Sequence, residues 1–197
     1  MARPATDVRL RILAAARAAF EADGFDATSL RAIARGARTT IGMIYYYFPT
    51  KDALWDAVID AVYQPFVVEL GALLAQPTSV RERLAAIAAY VAGLAEVERA
   101  VVRMALRDAL LSAERRQRLF ARFAHGHVPM VFQMIAAAQQ RGELVEAPTA
   151  MVMFMAGVAV LGAQLVLGDL PLPGLPEGQA RLDAALTLLF DGIGRRG

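Results

Sequence analysis

Apolar residues recur along this chain at intervals of three and four, and no period-two alternation persists, so the whole of it reads as α-helix. Thr6 or Asp7 can cap a first helix running to about Ala22, with Ile12, Ala16, Ala19 and Phe20 on one stripe, and Asp23-Gly24 ends it. Thr28 or Ser29 can cap a short second helix through about Arg35, with Leu30, Ile33 and Ala34 turned inward. Gly36-Ala37-Arg38 breaks the chain, Thr39 or Thr40 caps a third short helix that stops before Pro49, and Thr50 caps a fourth that starts at Lys51. Pro65 is predicted to kink or split the apolar run from Lys51 to Ala75, because proline removes one backbone hydrogen bond and crowds the preceding turn. Ser79 and Glu82 have capping-box spacing, opening a helix to about Glu96. Further helices are expected from about Arg99 to Leu111 and, as one long element, from Ser112 to Arg141 before the stop Gly142-Glu143. Another starts at Pro148 and ends at Gly168-Asp169; after a rigid loop holding Pro171, Pro173, Gly174 and Pro176, a last one covers about Glu177 to Ile193.

Two short capped helices separated by about four residues make a helix-turn-helix, whose second helix can lie in a major groove. With that helix taken as Thr40 to Phe48, Ile44 and Phe48 face the core beside Ile33. At 100° per residue, Gly42 and Tyr46 then point outward, flanked by Met43 and Tyr45. A merely solvated face would carry charge. This one carries a glycine that lets another backbone come close, apolar atoms that can meet thymine methyls, and hydroxyls that can reach phosphate.

Charge sharpens this picture. The net charge is +2, and residues 1–58 hold eight Lys and Arg against six Asp and Glu, while the remainder balances at thirteen of each. The whole basic surplus therefore lies in the third that carries the helix-turn-helix. The chain of 197 residues is 57% hydrophobic and 20% charged, which excludes a disordered polymer, and it has no cysteine, which excludes disulfides and thiolate metal sites. An N-terminus without an apolar segment argues for a cytoplasmic address.

Three runs in order carry a resemblance: Arg11-Ile12-Leu13-Ala14-Ala15-Ala16, then Phe20 through Ala34, then Gly42-Met43-Ile44-Tyr45-Tyr46-Tyr47-Phe48-Pro49-Thr50-Lys51-Asp52-Ala53-Leu54. Over roughly residues 9–55 the chain resembles the DNA-binding domain of the TetR/AcrR family of bacterial transcriptional regulators. The rest matches that family only in length, helical content and the turn Gly142-Glu143-Leu144. The resemblance implies an all-α fold with a DNA-binding domain over 1–50 and a helical ligand-binding and dimerisation domain over 51–197. It implies that Thr28 caps the second helix and touches phosphate, and that Arg31 lies where some members read a guanine edge. Thr39, Thr40, Ile41, Gly42 and Met43 would make base contacts, Tyr45, Tyr46 and Tyr47 would meet phosphate and sugar, and Lys51 would pair with phosphate at a helix N-terminus. The family usually has glycine in the turn, as in A-G-V-S; here Ala37-Arg38-Thr39-Thr40 stands there, which strains the backbone if Arg38 has positive φ and leaves its side chain free to reach phosphate. The base-reading set has no Asn or Gln, so methyl contacts, Arg31 and DNA shape are expected to carry specificity.

No charged residue occurs between Glu146 and Asp169, a length that could span a bilayer. Acidic flanks and the absence of a basic anchor argue against that, and a helix apolar all round needs cover on both sides. A homodimer through the last two helices, about 148–168 and 177–193, supplies it. Two copies then offer two recognition helices to a palindrome in double-stranded DNA. Tyr90, Leu94, Met104, Phe120, Phe123, Met130, Met134, Met151 and Met155 are the candidate lining of a pocket for a small apolar inducer, although each singly suits ordinary core. His125 and His127 diverge at that spacing, so no metal is expected, nor any cofactor. No G-x-S-x-G, H-E-x-x-H or glycine-rich phosphate loop is present, so the expectation is a repressor released by ligand rather than an enzyme. An enzyme or binding protein built on a regulator fold, and a membrane-associated helical protein, are the alternatives.

Overall fold

A computed structural model describes residues 5–144 and 146–158, with the single positions 180, 183, 184 and 187. Every element among them is helical: α1 (Ala5–Ala27), α2 (Leu30–Gly36), α3 (Ile41–Tyr47), α4 (Lys51–Leu74), α5 (Val80–Ala92), α6 (Glu96–Leu111), α7 (Ala113–His125), α8 (His127–Gln140) and α9 (Thr149–Gly157). The expected helix at about 177–193, the proline-rich loop before it and the second half of the stretch 148–168 lie outside the described residues.

The chain divides into two compact units. The first runs to Phe66 and includes Glu96–Leu119; the second holds Val67–Ala95 and the chain from Phe120 onward. The unit that holds the helix-turn-helix thus reaches beyond residue 50, into α4, α6 and the start of α7.

In the first unit Ile12, Ala16 and Phe20 stand four apart on α1 and are fully buried, as one turn-spaced stripe demands. They pack with Ile33, Ile44, Leu54, Trp55 and Val58, all buried. Burying each large apolar side chain is worth about 1.5–3 kcal/mol, so this cluster holds two short helices, α2 and α3, that could not persist alone. Gly24 (φ 79°) interrupts α1 as expected, but helix resumes to Ala27. The interruption is anchored by an aromatic trio: Phe20 stacks on Phe25 at 5.8 Å, and both meet Trp55 edge-on at 5.0 and 5.5 Å.

Pro65 does not split α4, which is assigned as one helix from Lys51 to Leu74. The missing N–H leaves one carbonyl, that of Ala61, without its partner. Leu54, Trp55, Val58 and Ile59 before the proline, and Leu70 after it, are buried in their own units and hold the helix on either side. The unit boundary falls between Phe66 and Val67, beside this proline.

In the second unit α5 begins with the predicted capping box, Ser79 and Glu82 bonding reciprocally. The same hydrogen bonds hold the Glu82 carboxyl below its usual range. The helix stops at Ala92, short of Glu96, because Gly93 caps it. Val80, Leu84, Ile87, Ala88 and Val91 face inward, as do Met134, Ile135 and Ala138 of α8 and Val152 and Ala156 of α9. The helix expected from Ser112 to Arg141 is two helices, α7 and α8, parted at Gly126. Glycine there (φ −111°, ψ −109°) lacks the side chain that would have favoured helical continuation. The stop at Gly142 occurs as expected, with φ 73°.

Candidate nucleic-acid interface

The second helix of the pair is positioned by its caps and by one turn. Ser29 caps α2, its Oγ accepting from the Ala32 N–H at 3.1 Å. Thr28 does not cap. It is buried, and its hydroxyl donates to the Gly24 carbonyl at 2.7 Å with the Ala19 carbonyl at 3.1 Å. The role of Thr28 as cap and phosphate ligand is therefore corrected: the fold turns this side chain inward to satisfy carbonyls freed by the Gly24 interruption.

The α2–α3 turn has the strained geometry that an arginine at this position implied. Arg38 has φ 51°, the only non-glycine residue with positive φ among those described. Left-handed backbone costs a residue with a Cβ about 1–2 kcal/mol. The Thr39 N–H donates to the Ala34 carbonyl at 3.0 Å, and Arg11 Nη1 donates from α1 to the Ala37 carbonyl at 3.1 Å, with the Arg38 carbonyl at 3.5 Å. Sequence reasoning gave Arg11 no such role; a contact between residues 26 apart leaves no local pattern.

Thr40, not Thr39, caps α3, its Oγ1 accepting from the Met43 N–H at 3.3 Å. Ile44 and Phe48 are buried, which fixes the roll of the helix. Ile41, Gly42, Tyr45 and Tyr46 then face outward, with Tyr46 76% exposed, and Met43 and Tyr47 lie half-buried on the flanks. Tyr47 supports Tyr46 edge-on at 5.0 Å. A Cβ added to Gly42 would meet nothing closer than Thr40 Oγ1 at 3.8 Å. Nothing within the fold therefore requires glycine there, although glycine in a helix costs about 1 kcal/mol.

Arg31, Arg38 and Thr40 are exposed, and Thr39 is half-buried. Lys51 stands at the start of α4, where Thr50 accepts from the Ala53 N–H at 2.9 Å. Its ammonium lies 4.6 Å over the Phe25 ring and donates to the Asp26 carbonyl at 3.3 Å. This single exposed hydrogen bond, worth about 1 kcal/mol, can be exchanged for a stronger anionic partner.

The candidate pocket residues fall in two units. Met104 belongs to the first unit and the other eight to the second. Met134 is buried, and Tyr90, Leu94, Phe123 and Met130 are half-buried. Phe120, Met151 and Met155 are corrected: they are 60%, 58% and 43% exposed, because α7 buries the neighbouring Leu119 and α9 buries Val152 and Ala156. The Met130 methyl lies 3.4 Å from where a Cβ on Gly71 of α4 would stand. His127 lies against Phe123 at 4.8 Å, and burial pushes its imidazole pKa down. His125 is exposed, its Nδ1 2.7 Å from the Ala121 carbonyl. Among the described residues no group of three or more His, Asp or Glu could hold a metal ion.

A first unit built around a short, capped, outward-facing second helix has the arrangement of a helix-turn-helix. Residues 12–58 match the family model described as bacterial regulatory proteins, tetR family, so this N-terminal segment is similar to that family's. The regulator UidR of Escherichia coli strain K12 is 39% identical over 59 residues, a match that spans 30% of this chain and 30% of that protein. Among solved structures, SmeT of Stenotrophomonas maltophilia in complex with triclosan shares the fold with a TM-score of 0.76 at 22% identity, over 96% of this chain and 93% of the other. FadR of Bacillus subtilis in complex with stearoyl-CoA does so with a TM-score of 0.73 at 19% identity, over 93% and 98%.

Proposed function

We propose that this chain is a cytoplasmic transcriptional repressor that binds a palindromic operator as a homodimer and is released by a small, largely apolar ligand. Residues 1–50, with Lys51 at the start of α4, carry DNA contact, and the rest of 51–197 carries ligand binding and dimerisation. One observation carries the reading: α3 turns Gly42 and the exposed Tyr45 and Tyr46 away from a core that has no need of a glycine at 42. A helix that gives up side-chain cover on its outermost position is suited to lie against another surface. The sole lysine, at the N-terminus of α4, suits that surface being polyanionic.

In this reading Arg31, Arg38, Tyr45, Tyr46, Tyr47 and Lys51 position the protein on phosphate and sugar or at a guanine edge, while Thr39, Thr40, Ile41, Gly42 and Met43 meet base edges. The ligand lodges among Tyr90, Leu94, Phe123, Met130 and Met134 of the second unit. That triclosan and stearoyl-CoA occupy the similar SmeT and FadR supports an apolar ligand class. Ligand would act through α4, the helix shared by both units, to change the separation of the two recognition helices.

The test is fluorescence anisotropy on palindromic duplexes from the DNA flanking the chain's own gene, over a range of salt. Tyr46→Ala and Lys51→Ala are each expected to weaken binding by about 1–3 kcal/mol, with the lysine variant also lowering the salt slope by about one. Affinity unmoved by both substitutions would reject this docking.

A further inference from the structure

We propose that Arg11 is a positioning residue for the recognition helix: it clamps a left-handed turn that, without glycine, would not hold its shape. The inference rests on the reading of α3 as a DNA-contacting helix. Arg38 occupies φ 51° although it carries a Cβ. That conformation lowers the population of the turn by about five- to thirtyfold relative to a right-handed alternative. Two backbone bonds span the turn, Arg38 N–H to the Arg35 carbonyl at 3.1 Å and Thr39 N–H to the Ala34 carbonyl at 3.0 Å. Arg11 adds the external element. Its Nη1 reaches the carbonyls on both sides of the strained residue, Ala37 at 3.1 Å and Arg38 at 3.5 Å. Asp7, one turn earlier on α1, stands 3.5 Å from Arg11 Nε and steadies the guanidinium from behind. A part-buried, charge-assisted hydrogen bond favours the bonded form by about ten- to a hundredfold, enough to offset the left-handed penalty.

The geometry gives this contact leverage on α3. The heading of that helix is decided at residues 37–39, immediately before its cap, whereas its roll is decided by buried Ile44 and Phe48. Arg11 can therefore set the direction of the outward face without touching the face. Lysine would replace it only in part, because Nη1 bonds the turn while a separate nitrogen, Nε, faces Asp7, and an ammonium has one nitrogen for both.

The experiment is a double-mutant cycle of Arg11→Ala and Arg38→Gly in the full chain, read by amide hydrogen exchange without DNA and by anisotropy with a palindromic duplex. In Arg11→Ala the Thr39 amide should exchange about tenfold faster, while the Leu54 amide of α4 is unchanged and DNA affinity falls about fivefold or more at unaltered salt slope. In the Arg38→Gly background the same substitution should cost less than about twofold in both readouts, because glycine adopts the turn unaided. Arg11→Lys, which keeps charge and fold, should fall between. Equal cost in both backgrounds, or unchanged protection at Thr39, overturns the proposal. So does a salt slope reduced by about one in Arg11→Ala, which would make Arg11 a phosphate ligand. A wild-type chain that binds no DNA while the exchange pattern holds would remove the regulator reading, and the positioning role with it, leaving only a turn clamp.

Discussion

Thr28 commits its hydroxyl inside the protein, which separates two roles that a threonine before a helix can play. A cap or phosphate ligand must face outward; Thr28 is 3% exposed and donates to carbonyls of α1. Thr28→Val keeps the shape and removes the donor, leaving buried carbonyls with one partner fewer. The expected loss is about 1–3 kcal/mol of stability, measured by denaturant unfolding, with the salt dependence of DNA binding unchanged. A reduced salt slope at full stability would restore the phosphate role. Residues whose roles follow from a helical period are correctly placed by sequence: Ile33, Ile44 and Phe48 lie inside, and Gly42 and Tyr46 outside. Thr28 and Arg11 are not: Thr28 turns to Gly24 four residues back and Ala19 nine residues back across an interrupted helix, and the acceptor of Arg11 lies 26 residues away.

Among elements, the joint between α1 and the α6–α7 corner of the first unit is made by arginines. Arg107 donates to the Phe20 carbonyl at 3.2 Å and stands 3.2 Å from Asp108, while Arg115 grips Asp26 through both terminal nitrogens at 3.3 and 3.0 Å and lies 4.7 Å over Phe25. The two partners of Arg115 differ in kind. Asp26 is 81% exposed, so its pair is worth at most about 1 kcal/mol. Asp108 is 4% exposed, with Arg115 Nε at 3.9 Å, and removing that cation leaves a buried carboxylate with Arg107 alone, which costs more than losing an exposed pair. Arg115→Ala should therefore destabilise the chain severalfold more, in free energy, than Asp26→Ala; equal losses in thermal unfolding would show that Asp108 does not depend on Arg115. Helix starts were readable one by one, because Ser29, Thr40, Thr50 and Ser79 each place a short acceptor before an apolar stripe. The division of the stretch 112–141 at Gly126 was not, because the apolar spacing continues through the glycine and conceals the break.

At the scale of the whole molecule, α9 leaves one face to be explained. It buries Val152 and Ala156 yet exposes Met151, Phe154, Met155 and Val158, the last three at 63%, 43% and 51%. Large apolar side chains clustered on one helix face are costly in water and suit a second copy of the chain. If that face is half of the proposed homodimer, one charge placed at its most exposed ring must break the dimer and leave the fold of the first unit alone. Phe154→Glu should give a monomer in light scattering at micromolar concentration. Losing the second recognition helix removes the effective-concentration gain of bivalent binding, so affinity for the full palindrome should fall by about a hundredfold or more while affinity for an isolated half-site stays. The pairing of these two results carries the argument. A monomer that kept palindrome affinity would show that two copies meet only on the DNA, and a dimer that kept both would place the protomer contact elsewhere than on α9.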